Sequence, residues 1–389
     1  MKKPSAAVSA TLISGVILLN LAVIPMAMAR SHQTNVNVMS RNIYIGGDIF
    51  RVYEAATNPE AGPLEVPLAV AQLYEIIAYT NFAERAEAIA AEIRKNRPHL
   101  IGLQEVSTIL RQSPGDFLLG NPQPATEILY DYLSILLAAL KKRHLNYEVA
   151  VTNTNADVEL PMLTGFTPKG DPVLDDLRLI DHDVILVRKD VKYRNTLAQN
   201  YTTNVSIPMG DLSLEFTRGF TALDAHIKNG IYRFVNTHLE VAGGPDYAFS
   251  AVQAAQMHEL LTLLAYEQKP VILVGDLNSD PYDGAFQSEI YGMIYPAYLQ
   301  AILAGYLDIW TLQSNSAELT CCFNETVDDP YASLYERIDH ILIHSIHGLK
   351  AEKNKVNATG DQVQDMTVNG LWPSDHAGLF GRIKFKLKR

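Results

Sequence analysis

Two stretches of this chain share one layout, and that layout restricts the fold more than any other feature. In each, an amphipathic helical pattern stops at a proline, and a short apolar strand follows whose end delivers carboxylate and amide side chains. In the first, Asn81 and Glu84 have capping-box spacing, and Phe82, Ala86, Ile89, Ala90 and Ile93 recur at helical period. Pro98 ends that helix, and the strand His99 to Leu103 delivers Gln104 and Glu105. In the second, Ser250 and Gln253 repeat the capping spacing, and Ala254, Met257, Leu260, Leu261 and Leu264 form the stripe. Pro270 then precedes the strand Val271 to Val274, which delivers Gly275, Asp276, Leu277 and Asn278. Helix and strand in alternation, with polar chemistry at the strand ends, predict an α/β fold. The repeated layout predicts two similar halves facing one site.

Further strands are predicted at Val36 to Ser40, Asp183 to Val187, Leu212 to Phe216, Thr221 to His226, Tyr232 to Thr237, Ile338 to Ile343 and Leu379 to Phe385, with a helix over Thr126 to Lys142. Residues 44–80, 152–178 and 311–335 read as long irregular stretches, and loops of that length are usually functional. No low-complexity linker divides the chain, so 30–389 reads as a single domain.

Residues 1–29 read as an address. Lys2 and Lys3 precede an apolar run from Ala6 to Ile24, and Ala27-Met28-Ala29 fits a signal-peptidase site. Cleavage after Ala29 leaves 360 residues of net charge −13, exported to the periplasm or secreted; an uncleaved anchor is the alternative. Of the whole chain 48% is hydrophobic and the net charge is −11, which supplies a core and excludes both a disordered protein and a coating nucleic-acid binder. Two adjacent cysteines, Cys321 and Cys322, exclude a disulfide scaffold and a cysteine-rich zinc site. The pair is open to a vicinal disulfide, a strained ring outside the usual geometry, and packing or loop stiffening is the reading ahead of a redox role.

The polar motifs occur in a fixed order: Asn42, Leu103-Gln104-Glu105, Asn236-Thr237-His238, Gly275-Asp276-Leu277-Asn278, Arg337-Ile338-Asp339 and Ser374-Asp375-His376. Singly, each has an ordinary structural reading as a turn, cap or core residue. Together they resemble the endonuclease/exonuclease/phosphatase superfamily, the deoxyribonuclease I-like fold, from about Asn35 to Leu387. The Cys-Cys stretch, with Asp308-Ile309-Trp310 and Glu336-Arg337-Ile338-Asp339, is similar to an exported bacterial branch.

The resemblance implies a four-layer α/β sandwich, two packed mixed β-sheets flanked by helices. It implies a Mg²⁺-dependent phosphoester hydrolase, with Mn²⁺ or Ca²⁺ as substitutes. Glu105 is the implied metal ligand, with Asn42 beside it and Asp375 in the same shell. Asp276 would activate the attacking water and Asn278, on the same side of an extended strand, would donate to a phosphoryl oxygen. Asp339 would orient His376, and His238 would form a second histidine–carboxylate pair with Asp181, Asp183 being the fallback. Arg41 stands where many relatives carry an aromatic, so it either lines the pocket or is solvated. The substrate is a phosphoester: nucleic acid first, since a nuclease-like phosphodiesterase ranks ahead, then a phospholipid cleaved as by a sphingomyelinase, or a small phosphomonoester. Leu371-Trp372-Pro373 and Tyr291 to Tyr298 are the segments that could meet lipid. The alternative class is a non-catalytic binding module on the same fold. No obligate protein partner is evident, and a monomer is expected.

Overall fold

The structure is a computed structural model and describes residues 33–209, 212–312, 319–344 and 354–386. The leader segment 1–29 lies outside the described residues. Among those described, no helix is long and apolar enough to cross a membrane.

In chain order the elements are β1 (Gln33–Asn42), α1 (Phe50–Thr57), α2 (Glu65–Tyr79), α3 (Phe82–Asn96), β2 (Leu100–Gln104), β3 (Thr108–Gln112), β4 (Glu127–Asp131) and α4 (Tyr132–Lys142). There follow β5 (Tyr147–Phe166), β6 (Pro172–Arg188), β7 (Lys192–Asn200), β8 (Val205–Met209), β9 (Leu212–Phe216), β10 (Gly219–Ile227), β11 (Gly230–His238), α5 (Ala248–Leu264) and β12 (Val271–Asp276). The last are β13 (Phe286–Ser288), β14 (Gly292–Ile294), α6 (Ala297–Leu303), β15 (Leu307–Asp308), β16 (Asp339–His344), β17 (Lys355–Thr359) and β18 (Gly378–Lys386).

One mixed sheet runs β17-β18-β1-β2-β6-β3-β4, with β5 paired to β6; the other runs β15-β16-β12-β11-β10-β7. β1 pairs parallel with β2, and β11 parallel with β12, so each sheet carries one of the two helix–proline–strand units. The strand period of 2 then sorts the side chains. Val36, Val38, Leu100, Phe234, Ile272 and Val274 fill the core between the sheets. Their neighbours Met39, Ile101 and Leu103 pack outward under α3 and α4. On the far side Val235, Val271 and Leu273 pack under α5 and α6. These four layers are the fold expected.

Several local expectations are corrected. Neither capping box forms. Asn81 is left-handed with no side-chain cap bond, and Glu84 accepts instead from the Asn369 backbone and amide. Ser250 lies inside α5, where its Oγ accepts from Gly243 N–H, and Gln253 reaches across to the carbonyls of Glu240 and Asn278. The fourth helix starts at Tyr132 rather than Thr126, because Glu127–Asp131 pairs with β3 as a strand. The stretch 44–80 is mostly helical, since Val66, Val70, Leu73 and Ile77 form a stripe that α2 turns onto the protein. The stretch 152–178 is a long hairpin whose strands are 20 and 17 residues long. Of 311–335, the described part has no regular element beyond a bridge at Cys321, and Cys321 and Cys322 are joined in a vicinal disulfide.

A polar tie crosses the interior between the sheets. Asn236 of β11 donates through Nδ2 to Leu103 O at 3.0 Å, and its Oδ1 accepts from Gln104 Nε2 at 2.5 Å. Gly102 makes room for it: a Cβ there would lie 2.5 Å from Asn236 Oδ1 and 2.6 Å from Val274 Cγ2. Both neighbours belong to the opposite sheet and have nowhere to retreat. Gly102→Ala is therefore expected to lower unfolding stability by about 1–3 kcal/mol, the usual cost of overpacking, as read by urea denaturation. An unchanged midpoint would show that the sheets are not held this closely.

Candidate active site

The same alternation that builds the core carries Asn42, Gln104, Asn236, His238 and Asp276 to neighbouring strand ends. His238 and Asp276 are paired in register on β11 and β12, and Asp276 is paired with Asp339 on β16. Asn42 closes the gap between the sheets, donating through Nδ2 to Glu105 Oε1 at 2.8 Å and to Asp276 Oδ2 at 3.1 Å. Its Oδ1 accepts from Tyr44 N–H at 2.9 Å. Asn42 thus holds two carboxylates in place through its Nδ2, and its Oδ1 keeps a second lone pair free for the metal-ligand role expected of it. Glu105 sits just past β2 in a left-handed conformation, and its Oε2 accepts from Ile45 N–H at 2.7 Å.

His376 lies opposite, with Nδ1 2.8 Å from Asp339 Oδ2 as expected from the motifs. Asp339 is fixed in turn by its own N–H on Thr320 Oγ1 at 3.1 Å. The other ring nitrogen of His376, Nε2, is 3.8 Å from Asp276 Oδ2 and 3.8 Å from Asp375 Oδ1. Burial opposes a charge on this ring, but Asp339 and Asp375 outweigh it and hold the His376 pKa well above the ordinary value. It is an imidazolium at neutral pH. Burial, reinforced by the charge of Asp339, pushes the Asp276 carboxyl up to about 7. A carboxyl poised near neutrality beside an imidazolium is suited to general acid–base work.

The expected pairing of His238 with Asp181 does not form. Asp181 accepts from Ser107 Oγ at 3.2 Å and Asn155 Nδ2 at 3.3 Å, and these donors hold it away from the ring. The fallback, Asp183, is fully buried and its carboxylate oxygens accept no bond of normal hydrogen-bond geometry, although the Asn155 amide lies alongside. The partner of His238 is Arg218, whose Nη1 is 3.1 Å from Nδ1. Burial and then the Arg218 charge depress the His238 pKa well below its ordinary value, so the ring is neutral. Accepting from Arg218 at Nδ1 leaves the proton on Nε2, which is 3.7 Å from Asp276 Oδ2. Arg218 is the site residue the sequence reading missed. It directly precedes β10, and Gly219 pairs with His238 in the β10–β11 hairpin, so the register of that hairpin is the signal that places it.

Asn278 is also corrected in detail. β12 ends at Asp276, and Asn278 is in a left-handed turn rather than an extended strand. Its backbone N–H bonds Asp276 Oδ1 at 2.9 Å, and its Nδ2 donates to Leu239 O at 2.9 Å, 3.3 Å from His238 Nε2. Arg41 neither lines the pocket nor is solvated. It is fully buried on the outer face of β1, paired with Glu92 at 2.9 Å and donating to the His376 carbonyl. Arg85, also fully buried, donates to the carbonyls of Ile43, Tyr44, Thr80 and Pro373. These two guanidiniums set the loops that carry Glu105's neighbours and Asp375-His376. Leu371 and Trp372 are core residues, with Trp372 stacked on Phe323 at 4.1 Å, while Tyr291 and Tyr295 are exposed.

The donor set fits a hard cation. Burial raises both Glu105 and Asp375, the latter to about 6; the Asp181 charge adds to the first shift and the Glu105 charge to the second. Two buried carboxylates that repel one another are relieved by a divalent ion bound between them. Asp276, Asp339 and His376 form a second cluster whose ligating atoms lie within 4.8 Å of one another, but His376 Nδ1 is already committed to Asp339. The cleft over the site has a volume of about 590 Å³. Nine of its lining residues are carboxylates, against one arginine, Arg218.

A sequence model of the Endonuclease/Exonuclease/phosphatase family matches residues 78–376. No protein with a curated description matches the chain. Among solved structures, an endonuclease/exonuclease/phosphatase family protein from Bacteroides thetaiotaomicron is 15% identical with a TM-score of 0.52, covering 92% of this chain and 98% of its own. One from Leptotrichia buccalis is 16% identical with a TM-score of 0.50, covering 90% of this chain and 100% of its own. A mannosyl-6-phosphatase from Bacteroides thetaiotaomicron is 15% identical with a TM-score of 0.50, covering 90% of this chain and 99% of its own.

The raised Asp276 pKa has a consequence for stability. Folding favours its protonated form, so that contribution is full below the ordinary carboxylate value of 3.8 and lost as pH passes about 7. Asn at this position cannot ionise. In EDTA buffers, the Tm of Asp276→Asn minus that of the parent is expected to rise between pH 4 and pH 8. A flat difference would mean that Asp276 does not titrate in this window.

Proposed function

The chain belongs to the Endonuclease/Exonuclease/phosphatase family, and from that premise we propose that it is an exported, Mg²⁺-dependent phosphoester hydrolase. The observation that carries the reading is Asp276, a carboxyl near neutrality set between neutral His238 at 3.7 Å and cationic His376 at 3.8 Å. Asp276 takes a proton from the attacking water, its second oxygen held by the Asn278 N–H. His376, oriented by Asp339, presents positive charge where the phosphoryl oxygens become more negative. His238 offers its Nε2 proton to the same region, with Arg218 behind it. A divalent cation held by Glu105 and Asp375 would neutralise phosphoryl charge and polarise the phosphorus, and their hard oxygens suit Mg²⁺, with Mn²⁺ or Ca²⁺ as substitutes.

The cleft charge bears on the substrate. A nucleic-acid strand is bound through several phosphates by lysines and arginines, whereas this cleft presents nine carboxylates and a single arginine. That balance favours a small phosphoester over the nucleic acid ranked first from sequence. Purified protein should hydrolyse p-nitrophenyl phosphate or bis-p-nitrophenyl phosphate with Mg²⁺, lose activity in EDTA, and leave plasmid DNA uncut at matched concentration. Asp276→Ala and His376→Ala should each lower kcat by about 10² to 10⁴, the usual worth of a positioned acid or base, with unchanged circular dichroism. Turnover indifferent to metal, or near-normal in both variants, would overturn the mechanism. No turnover of any ester would leave the binding module as the reading.

A further inference from the structure

Beside the catalytic cleft the fold leaves a second cavity, of about 110 Å³. Its walls are apolar: Val52 and Tyr53 from α1, Leu73 from α2, Leu160 and Leu177 from the β5–β6 hairpin, and Phe249 from α5. Only two charged residues line it, Arg218 and Glu240. The cavity adjoins the cleft, and Ile49, Phe50, Leu179, Phe216, Arg218 and Val241 line both. At this boundary Arg218 turns Nη1 to His238 Nδ1 at 3.1 Å, while its buried Nε, 3.7 Å from Glu240 Oε2, makes no hydrogen bond. One guanidinium thus separates the acid–base group from the apolar chamber.

Protein interiors are close-packed, and an apolar void stays dry and accepts an apolar guest; a cavity of about 150 Å³ holds benzene. At about 110 Å³ the chamber is smaller than that, of a size for a short alkyl chain rather than an aromatic ring. Its outer wall is formed by α1 and α2, most of which precede the residues matched by the family model. We propose that this chamber is the subsite for the apolar ester group of the substrate, which is a small soluble phosphoester carrying a short alkyl group on oxygen. The assignment rests on the phosphoester-hydrolase reading. Phosphate lies at Asp276, His238 and His376, and the hydrocarbon passes Arg218 into the chamber. Water adds to phosphorus, the bond from phosphorus to the ester oxygen breaks, and the apolar group leaves as its alcohol with the proton that the water gave up.

The test is a series of soluble alkyl phosphates from methyl to hexyl, followed by phosphate release with Mg²⁺. kcat/KM should rise by up to about fourfold per methylene, which is about 0.8 kcal/mol per buried CH₂, and level off once the chamber is full. Ala56→Trp, from a lining residue on α1, fills the space; it should flatten the series while leaving methyl phosphate turnover unchanged. Leu214→Ala, which enlarges the chamber, should move the plateau to longer chains. Equal kcat/KM along the series in the parent would overturn the subsite and leave the hydrolase reading standing. If no ester is turned over, titration calorimetry of hexylphosphonate against methylphosphonate still decides. Tighter binding of the hexyl compound, lost in Ala56→Trp, upholds the chamber, and equal affinity overturns it. Faster turnover of phosphatidic acid in phosphatidylcholine vesicles than of hexyl phosphate would overturn the assignment to a small soluble ester.

Discussion

The amides of Gln104 and Asn236 meet between the sheets at the border of a largely hydrocarbon core, and the relative placing of the sheets depends on that contact. A buried amide without a partner costs more than the bond it makes, so each of these two side chains demands the other. Sliding one sheet past the other would strand Asn236, whose donors reach Leu103 on the opposing sheet. The contact lies one strand period from His238 and beside Glu105, and fixing it fixes where the strand ends point. The 3.1 Å approach of Asn42 to Asp276 follows from it. A core of valine and isoleucine alone would be as apolar, yet it would leave the relative position of the sheets to packing.

Around that tie the protein gathers charges that burial disfavours. Glu105, Asp181, Asp183, Asp276 and Asp375 are all pushed toward protonation by their surroundings. The loops that hold them are stiffened by charges of the opposite sign on the outer face. Arg41 and Glu92 form a fully enclosed pair, and Gly360 and Gly378 leave the space for it, since a Cβ at Gly360 would lie 2.5 Å from Glu92 Oε1. Removing one partner of such a pair costs about 3–5 kcal/mol because it strands the other. Arg85 spends its donors on four backbone carbonyls, including Tyr44 and Pro373 at the rim of the site. Function and stability thus draw on separate sets of buried charge.

The parts of this molecule legible in its sequence are those governed by short-range periodicity. The stripes of α3 and α5, the apolar β2 and β12, and the pairing of His376 with Asp339 all follow from residues close in sequence or from an ordered motif. What was hidden depended on register. The β5–β6 hairpin carries polar residues such as Asn153, Asn155 and Asp181 on its buried side, which reads as loop until their mutual hydrogen bonds are known. Arg218 lacks any local motif and acquires its role only through the strand pairing that sets Gly219 against His238. The capping spacings at Asn81 and Ser250 failed because tertiary partners took the groups they needed: Asn369 holds the Glu84 carboxylate, and Gly243 N–H occupies the Ser250 hydroxyl. α2 was the avoidable miss, its stripe being present in the sequence.

β1, the first described strand, lies between β2 and β18, the last. Arg41 reaches a carbonyl 335 positions further along the chain, and Asn42 shares its site with Asp375 and His376. Closing a loop of that length is slow and is rewarded only at the end. The site is therefore made from both ends of the described chain: Asn42 and Glu105 come from its beginning, and Asp375 and His376 precede its last strand. Only when β1 and β18 pair are these acids and the imidazole brought together. Apart, the same side chains are separate polar groups with no shared electrostatics, and their perturbed acidities belong to the assembled sheet alone.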